Sequence, residues 1–363
     1  MHQDINRREF IATAVGAAAL ATTAAQAEPE KPGLSAIQFG AGPGDIGIAQ
    51  STTFPESTNT VTVADPARIR ALQLTDIHFF CTRKYPENDQ KTIEDLKKLV
   101  DLAQPDMLWI TGDLWHDNPD GEGQGFMEFG VAEIAKLGLP WTFVWGNHDR
   151  MDDYAKGHDH IAGAAHALYR GGASGGNYTV TLQEKSGAAV WELLCLNSGG
   201  NGLSAAQKEW VATTAAARKA AGPVKPSFTL VHIPIKQYAD LWASKAASGV
   251  RLEDVCNEGE DGSALPVLQE YPGMQAVFCG HDHVNDYNGK SGPIELVYGR
   301  ATGHGGYGGK QVPKGAKIIT MNAQAGTYSY ESILADGTRW NPTPGMHIEN
   351  YRDAPWNQDK PKA

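Results

Sequence analysis

The sequence has no surplus of basic residues. Its 363 residues include 31 lysines and arginines against 42 aspartates and glutamates, which gives a formal net charge of -11 at pH 7. Nonspecific binding to nucleic acid needs a basic stripe that releases counterions from the phosphate backbone, and the sequence contains none. We therefore expect no nucleic-acid polymer as a partner, while small anionic esters remain open as substrates.

Long apolar runs are also missing, apart from one Ala-rich segment at residues 11–25. It follows N-R-R-E-F-I at 6–11 and is itself followed by A-Q-A at 25–27. The run is too short and too rich in alanine for a membrane span, whereas paired arginines, a weakly apolar core and small residues at the end indicate a twin-arginine export signal. Residues 1–27 are thus predicted to be a cleaved signal that meets the export machinery in transit.

The mature chain is then expected in the periplasm or outside a bacterial cell, without a stable membrane anchor. An uncleaved anchor is the alternative. Only four cysteines occur, which is few for an exported chain of this length. Cys195 and Cys279 fall in apolar runs and are expected to be buried core residues. A disulfide that includes Cys256 is left open, and a thiolate metal ligand at Cys81 would be unusual.

Five short segments contain side chains of metal-ligand type. They are LTDIH at 74–78, TGD at 111–113, WGNHD at 145–149, VHI at 231–233 and CGHDH at 279–283. Each follows a run of strand-forming residues, so each is predicted to lie just past the carboxyl end of a β-strand. Open α/β sheets bind their ligands at such positions.

The residue types in these segments suit a pair of metal ions. Two ions held roughly 3.5–4 Å apart need a bridging carboxylate, with oxygen and imidazole ligands around them. We assign the bridge to Asp113. The first metal is also assigned Asp76, His78 and His283 as ligands. The second metal is assigned Asn147, His232 and His281. Such ligands accommodate Fe, Mn, Zn or Co.

This set of ligands also indicates a reaction. A water between two such ions loses a proton near neutral pH and can attack phosphorus in line. His148 is the candidate to protonate the leaving oxygen or to stabilise developing charge, and Asp149 the candidate to orient it. Substrate contacts are expected from Asn147, His148 and His304. His304 lies in the glycine-rich stretch ATGHGGYGG at 301–309, which is able to approach a site closely; a flexible turn with an incidental histidine is the alternative.

Other histidines are assigned less directly. G-H-D-H also occurs at 157–160, but a polar segment precedes it and no strand delivers its imidazoles. His158, His160 and His166 are therefore interpreted as cap or surface residues, which would contact substrate only if they faced the cleft. His116 and Asp117 are expected to line the rim of the site, although contact with it is the alternative.

The five motifs resemble those of the calcineurin-like metallophosphoesterase family, whose pattern is D-x-H, G-D, G-N-H-D/E, H and G-H-x-H. GNYTV and VYGRATGHGGYG are similar to the branch that contains plant purple-acid-phosphatase-like proteins and related fungal phosphatases. The resemblance covers about residues 69–335. It implies an α/β fold, a four-layer αββα sandwich of two mixed β-sheets flanked by helices, together with a dinuclear centre and hydrolysis of phosphate esters.

One departure from purple acid phosphatases is informative. Those enzymes have a metal-binding tyrosine three residues after the bridging aspartate, and its bond to ferric iron produces their colour. This sequence has His116 at that position, and it has His78 where they lack the histidine of D-x-H. We therefore predict a colourless enzyme.

The sequence is compatible with three functions. A phosphomonoesterase is favoured by the purple-acid-phosphatase-like resemblance. A phosphodiesterase for cyclic nucleotides or glycerophosphodiesters is the first alternative, because D-x-H with G-N-H-D also suits diesterases. A periplasmic protein that binds metal or phosphate without turnover is the second. The physiological ester and the oligomeric state do not follow from the sequence.

The expected organisation is a single catalytic domain with irregular ends. The predicted divisions are a signal at 1–27, an extended lead-in at 28–65, the metallophosphoesterase domain at 66–335 and an irregular tail at 336–363. Helices are predicted at 91–103, 126–137 and 204–221, the last with Ser204 as N-cap and Gln207 three residues on. The strands at 176–180, 190–197, 318–322 and 327–334 are expected to build the second sheet.

Overall fold

The computed structural model describes residues 58–80 and 83–357. The strands are β1 (Thr58–Thr62), β2 (Ile69–Leu74), β3 (Met107–Ile110), β4 (Trp141–Phe143), β5 (Tyr178–Gln183), β6 (Ala189–Cys195), β7 (Ser227–Leu230), β8 (Ser248–Arg251), β9 (Met274–Cys279), β10 (Asn285–Ser291), β11 (Ile294–Tyr298), β12 (Gly315–Asn322), β13 (Thr327–Leu334), β14 (Arg339–Trp340) and β15 (His347–Ile348). The α-helices are α1 (Pro86–Ala103), α2 (Gly123–Ala135), α3 (Tyr154–Gly163), α4 (Ala205–Ala220), α5 (Gln237–Ala243) and α6 (Ala264–Gln269).

Two mixed sheets form the centre of the fold. One has nine strands in the order β1-β5-β6-β7-β9-β11-β10-β8-β15, and the other has six in the order β14-β13-β12-β2-β3-β4. Aromatic side chains pack between them: Trp109 of β3 contacts Phe228 of β7 and Phe278 of β9, with ring centroids 6.1 and 5.4 Å apart. The predicted fold of two mixed sheets flanked by helices is confirmed.

Helices cover the outer faces of both sheets. In α1, Leu96, Leu99 and Ala103 recur at helical spacing and join the larger core, which contains residues of both sheets. A second core lies on the nine-stranded sheet, where Trp210 of α4 and Leu268 of α6 are buried. The predicted N-cap of α4 is also present, since the Ser204 hydroxyl accepts from the Gln207 amide and the Gln207 side chain accepts from the Ser204 amide.

The sheets extend beyond the predicted domain limits. Strand β1 lies within the expected lead-in, yet it pairs in parallel with β5. Strands β14 and β15 lie within the expected tail, and they pair with β13 and β8. These short segments have little periodicity, so their strand conformation depends on pairing with residues far along the chain.

The predicted sheet membership of two strands was wrong. Strands β12 and β13 do not join β5 and β6; β12 instead pairs antiparallel with β2, beside the first motif.

A buried ion cluster joins the two sheets. Asp286 of β10 accepts from Lys317 of β12 and from Arg300, each at 2.7 Å, and all three side chains are at most 1% exposed.

Several predictions fall partly outside the described residues. The signal at 1–27 and most of the lead-in lie outside them, as does Cys81. Cys195 and Cys279 are buried thiols, as expected. Within residues 58–80 and 83–357, none of the helices has both the length and the apolar character that crossing a bilayer requires.

Candidate metal centre

All five motifs lie at the carboxyl ends of strands that run in parallel. Strands β2, β3 and β4 are parallel neighbours in the six-stranded sheet, and β7 and β9 are parallel neighbours in the nine-stranded sheet. The residues that follow these strands are Asp76 and His78 after β2, Asp113 after β3, Asn147 after β4, His232 after β7, and His281 and His283 after β9. The two sheets therefore deliver seven potential ligands to one place.

Four of these residues have unusual backbone conformations. The φ angles are 53° at Asp76, 52° at His78, 54° at Asp113 and 79° at His281. Residues other than glycine rarely adopt positive φ, and such strain persists where the surrounding structure imposes it, often at functional sites. Backbone hydrogen bonds between the first two motifs contribute here, because the amide of His78 donates to the carbonyl of Asp113 at 2.9 Å.

Two motif glycines allow the ligands to approach one another. A Cβ at Gly112, whose φ is 90°, would lie 2.4 Å from Nδ1 of His232. A Cβ at Gly146 would lie 2.1 Å from Oδ1 of Asp113. Any larger side chain at either position would displace a ligand, which explains why glycine precedes Asp113 and Asn147.

The first group of potential ligand atoms comes from Asp76, His78, Asp113 and His283. The Nε2 atoms of His78 and His283 are 3.1 Å apart. Nε2 of His283 lies 3.3 Å from Oδ1 of Asp76, and Nε2 of His78 lies 3.5 Å from Oδ2 of Asp113. These are the residues that the sequence assigned to the first metal, together with the bridge.

The second group contains Asp113, His232 and His281. Nε2 of His232 lies 3.2 Å from Oδ2 of Asp113, 3.2 Å from Nδ1 of His281 and 3.0 Å from Oδ1 of Asn147. Asp113 thus belongs to both groups, and Oδ2 is the atom that faces both. The sequence assigned the same residues to the second metal.

The distances between these atoms suit bound metal ions. Ligand atoms about 2.1 Å from one ion and at right angles to each other are about 3 Å apart, which is the spacing within both groups. Three of the four ligand histidines have an oxygen acceptor at the other ring nitrogen: His232 Nδ1 lies 2.9 Å from the Thr111 carbonyl, His283 Nδ1 3.2 Å from that of Tyr307, and His281 Nε2 3.1 Å from Oε1 of Glu258. Such acceptors leave the other nitrogen of each ring available to a metal. The residues therefore fit a dinuclear centre.

The electrostatics of the cluster match this interpretation. Burial by itself raises the pKa of Asp113, but the neighbouring His232 and His148 bring it below its usual value. Burial lowers the pKa of His232, yet Asp113 outweighs it and raises that pKa to about 9. Burial and three neighbouring histidines lower the pKa of His78. Asp113 thus favours the protonated form of His232, and a metal bound at this ring would take the place of that proton.

His148 lies beside the bridging carboxylate. Its amide donates to Oδ1 of Asp113 at 2.8 Å, and its Nδ1 is 3.0 Å from Oδ1 of Asp117. Burial lowers the pKa of His148, but Asp117 and Asp113 raise it above its usual value. The acid that contacts His148 is thus Asp117, which was expected at the rim of the site. Its position four residues after Asp113 was the available signal.

Asp149, expected to orient His148, has a different set of contacts. Its carboxylate accepts from the amides of Asp113 at 2.8 Å, Gly146 at 2.7 Å and Trp115 at 3.2 Å. Burial and the nearby Asp113 raise its pKa to about 7. Asp149 therefore joins the G-D and G-N-H-D loops through their backbones, and the predicted pairing with His148 was wrong.

Comparison with known proteins identifies the family. The family model described as Calcineurin-like phosphoesterase matches residues 69–285, which include all five motifs. The chain belongs to this family. As a calcineurin-like phosphoesterase, the protein is a hydrolase whose family uses a dinuclear metal centre.

The individual relatives share about a quarter of their aligned residues with this chain. The "Probable inactive purple acid phosphatase 28" of Arabidopsis thaliana is 24% identical over 321 residues, covering 74% of this chain and 79% of the plant protein. The 3',5'-cyclic adenosine monophosphate phosphodiesterase CpdA of Escherichia coli strain K12 is 27% identical over 248 residues, covering 65% and 78%. A crystal structure of a dimetal phosphatase from Danio rerio, 12% identical, aligns with a TM-score of 0.49 over 71% of this chain and 93% of its own.

His116 lies inside the phosphoesterase site rather than at its rim. Its Nδ1 is 3.1 Å from Nδ1 of His78, and its ring stacks on that of His148 with centroids 5.1 Å apart. It forms a third group of potential ligands with Asp117 and His148. Burial and His148 lower the pKa of His116 to about 3, so this ring is neutral near pH 7.

The other histidines named in the sequence analysis lie outside the groups of potential ligands. His304, a predicted substrate contact, has Nε2 2.8 Å from Oδ2 of Asp95 in α1, and it belongs to neither ligand group. His158 is buried and stacks on Tyr169, and its burial lowers its pKa to about 4. His160 and His166 are exposed. The G-H-D-H segment at 157–160 is separate from both groups of metal ligands, as predicted. The prediction of a cap or surface position was wrong for His158, which is buried.

Proposed function

We propose that this protein hydrolyses phosphate monoesters at a dinuclear centre held by Asp76, His78, Asp113, Asn147, His232, His281 and His283. The observation that carries the proposal is the position of Asp113, whose Oδ2 faces both groups of ligand atoms. A carboxylate shared in this way reduces the repulsion between two close cations. The metals are drawn from Fe, Mn, Zn and Co, all of which suit these ligands.

A bound metal pair supplies an activated water and neutralises charge on the phosphoryl oxygens. The protein contributes the proton for the leaving group. Asp117 holds Nδ1 of His148 at 3.0 Å, and we infer that Nε2 of the same ring delivers the proton to the ester oxygen. Asp117 also raises the pKa of His148, although burial opposes it, and this keeps the ring protonated to a higher pH. His148 is accordingly the general acid.

The choice of a monoester rests on the purple-acid-phosphatase-like resemblance, to which the Arabidopsis relative adds support. The word "inactive" in that name describes the plant protein, and the present chain has all seven ligand residues of the five motifs. A diesterase is the second candidate, because the cyclic nucleotide phosphodiesterase of Escherichia coli matches 65% of this chain. Small phosphate esters are the substrate class in both cases.

The test compares an aryl phosphate monoester with the matched diester, using residues 28–363 with metals measured before and after chelation. Two metals per chain, with chelator-sensitive turnover that favours the monoester, support the proposal. Faster turnover of the diester would favour the second candidate function, a phosphodiesterase. Full occupancy without turnover of either ester, together with tight phosphate binding, would indicate a binding protein.

Export is a separate part of the proposal. The paired Arg7 and Arg8, the Ala-rich segment and A-Q-A at 25–27 support a twin-arginine signal and a periplasmic or secreted enzyme. The double substitution Arg7→Lys with Arg8→Lys should retain the protein in the cytoplasm of a bacterial host. Unchanged appearance of the double variant in the periplasmic fraction would contradict twin-arginine export.

A further inference from the structure

The glycine-rich stretch at 301–309 lies directly against the D-x-H ligands. The amides of Thr302 and Gly303 donate to the carbonyls of Thr75 and Asp76 at 2.8 and 3.2 Å. A Cβ at Gly306 would lie 2.3 Å from Cε1 of His283 and 2.9 Å from Cδ2 of His78. Glycine is therefore required where this loop packs on two ligand rings.

The outer side of the same loop is attached to α1. The amide of His304 donates to Oγ1 of Thr92 at 2.9 Å, and its imidazole pairs with Asp95. This arrangement gives His304 a place in the fold that differs from the predicted substrate contact. The loop is thus held on one side by α1 and on the other by the first motif.

Tyr307 extends from this loop to the H-x-H ligands. Its ring stacks on the imidazole of His283, with centroids 4.1 Å apart and planes 8° from parallel. Its carbonyl lies 3.2 Å from Nδ1 of His283. The ring fixes the plane of the imidazole, and the carbonyl fixes which nitrogen carries the proton.

Glu253 holds Tyr307 in this position. The phenol of Tyr307 donates to the carboxylate of Glu253, at 2.9 Å to Oε1 and 2.8 Å to Oε2. Oε1 of Glu253 also accepts from the amide of Val284, the residue after His283, at 3.1 Å. One carboxylate therefore connects the tyrosine and the backbone beside the ligand.

We propose that Tyr307 and Glu253 form a positioning pair that fixes His283 and thereby controls retention of the metal in the first ligand group. Neither residue contacts the reacting atoms in this proposal; both act through His283. The inference rests on the proposed function, since it assumes that the first group holds a metal. Partners that orient metal-binding histidines typically change metal affinity by about 10–100-fold when removed.

The test measures metals per chain and the rate of metal release to a chelator in Tyr307→Phe, Tyr307→Leu and Glu253→Ala. Tyr307→Phe loses the bond to Glu253 and keeps the stacked ring, whereas Tyr307→Leu loses both. We expect one of the two metals to be released about 10–100-fold faster from Tyr307→Leu, with a smaller increase for Tyr307→Phe. Tyr328→Phe is the matched control, because the Tyr328 phenol donates to Glu295 at 2.7 Å, on strands without motif ligands.

A double variant tests whether the two residues act as a pair. Tyr307→Phe and Glu253→Ala combined should release metal no faster than the faster of the two single variants, since both remove the same hydrogen bond. If both Tyr307 variants released metal at the wild-type rate, the positioning role of Tyr307 and Glu253 would be wrong, while the proposed function would stand. If Tyr307→Leu fails to fold, the metal release rate of Tyr307→Phe alone tests the positioning role. A wild-type protein that binds no metal would overturn the proposed function as well.

Discussion

Nδ1 of His148 and Oδ1 of Asp117 are 3.0 Å apart, beside a carboxylate that faces both groups of metal ligands. This pair joins two loops, because His148 follows β4 and Asp117 follows β3. A carboxylate in this position orients the imidazole and favours its protonated form.

Replacing Asp117 with asparagine should shift the pH dependence of turnover. Burial lowers the pKa of His148 while Asp117 and Asp113 raise it, so removing the Asp117 charge lowers this pKa. Because the general acid acts in its protonated form, the limb on which turnover falls with rising pH should move to lower pH in Asp117→Asn. The measurement is kcat against pH for both proteins, and an unmoved limb would contradict the assignment.

Replacing His148 itself should separate chemistry from metal binding. We expect His148→Ala to reduce kcat by about 10²–10⁴-fold, the usual contribution of general acid catalysis, with both metals retained. Metal content and kcat are measured on the same samples. His160→Ala, which changes an exposed histidine of α3, is the control and should leave both quantities unchanged. Equal turnover in His148→Ala and wild type would remove His148 from the mechanism.

Asp113 should be essential to both metals. Its Oδ2 faces both groups, so Asp113→Ala should lose binding of the metal pair and with it turnover, with metals counted per chain after dialysis. Asp120→Ala removes an exposed acid from the same loop and serves as the control. If Asp113→Ala retained two metals, the bridging role would be wrong.

The ion cluster between the sheets should contribute strongly to stability. Asp286→Asn leaves Lys317 and Arg300 buried beside a neutral amide, and breaking such a cluster typically costs about 3–5 kcal/mol. Burial raises the pKa of Asp286, but Lys317 and Arg300 lower it below its usual value. Its contribution is therefore complete above the unfolded pKa and decreases as the pH falls through the folded pKa.

Chemical unfolding of metal-free protein at pH 7 and at acid pH measures this contribution without interference from metal loss. The difference between wild type and Asp286→Asn should be largest near neutral pH and should narrow in acid. Asp159→Asn, an exposed acid on α3, is the control. A constant difference across the pH range would assign the effect to packing rather than charge.

The protein should be colourless even when it binds ferric iron. His116, which contacts His78, stands where purple acid phosphatases have a metal-binding tyrosine. Protein reconstituted with ferric iron should therefore lack the intense visible absorption of an iron phenolate. An intense visible band in the reconstituted protein would contradict this prediction.

The sequence by itself determined the family and the seven ligand candidates. Each ligand follows its strand within a few residues, as Asp76 follows β2, so a local pattern of apolar strand and polar residue is enough to recognise it. Parallel strands then bring such residues to one edge of a sheet. The division of the ligands into two groups around Asp113 was likewise predicted, with one carboxylate shared as a bridged metal pair requires.

Only the tertiary structure decided which residues support those ligands. Asp117 rather than Asp149 pairs with His148, His304 pairs with Asp95, and β12 joins the sheet of β2. These contacts join residues that are distant in the chain or lie on different loops, and several acids of similar spacing compete for each partner. The packing of two sheets selects among them, because a buried charge or strand edge must find a partner where the fold places one.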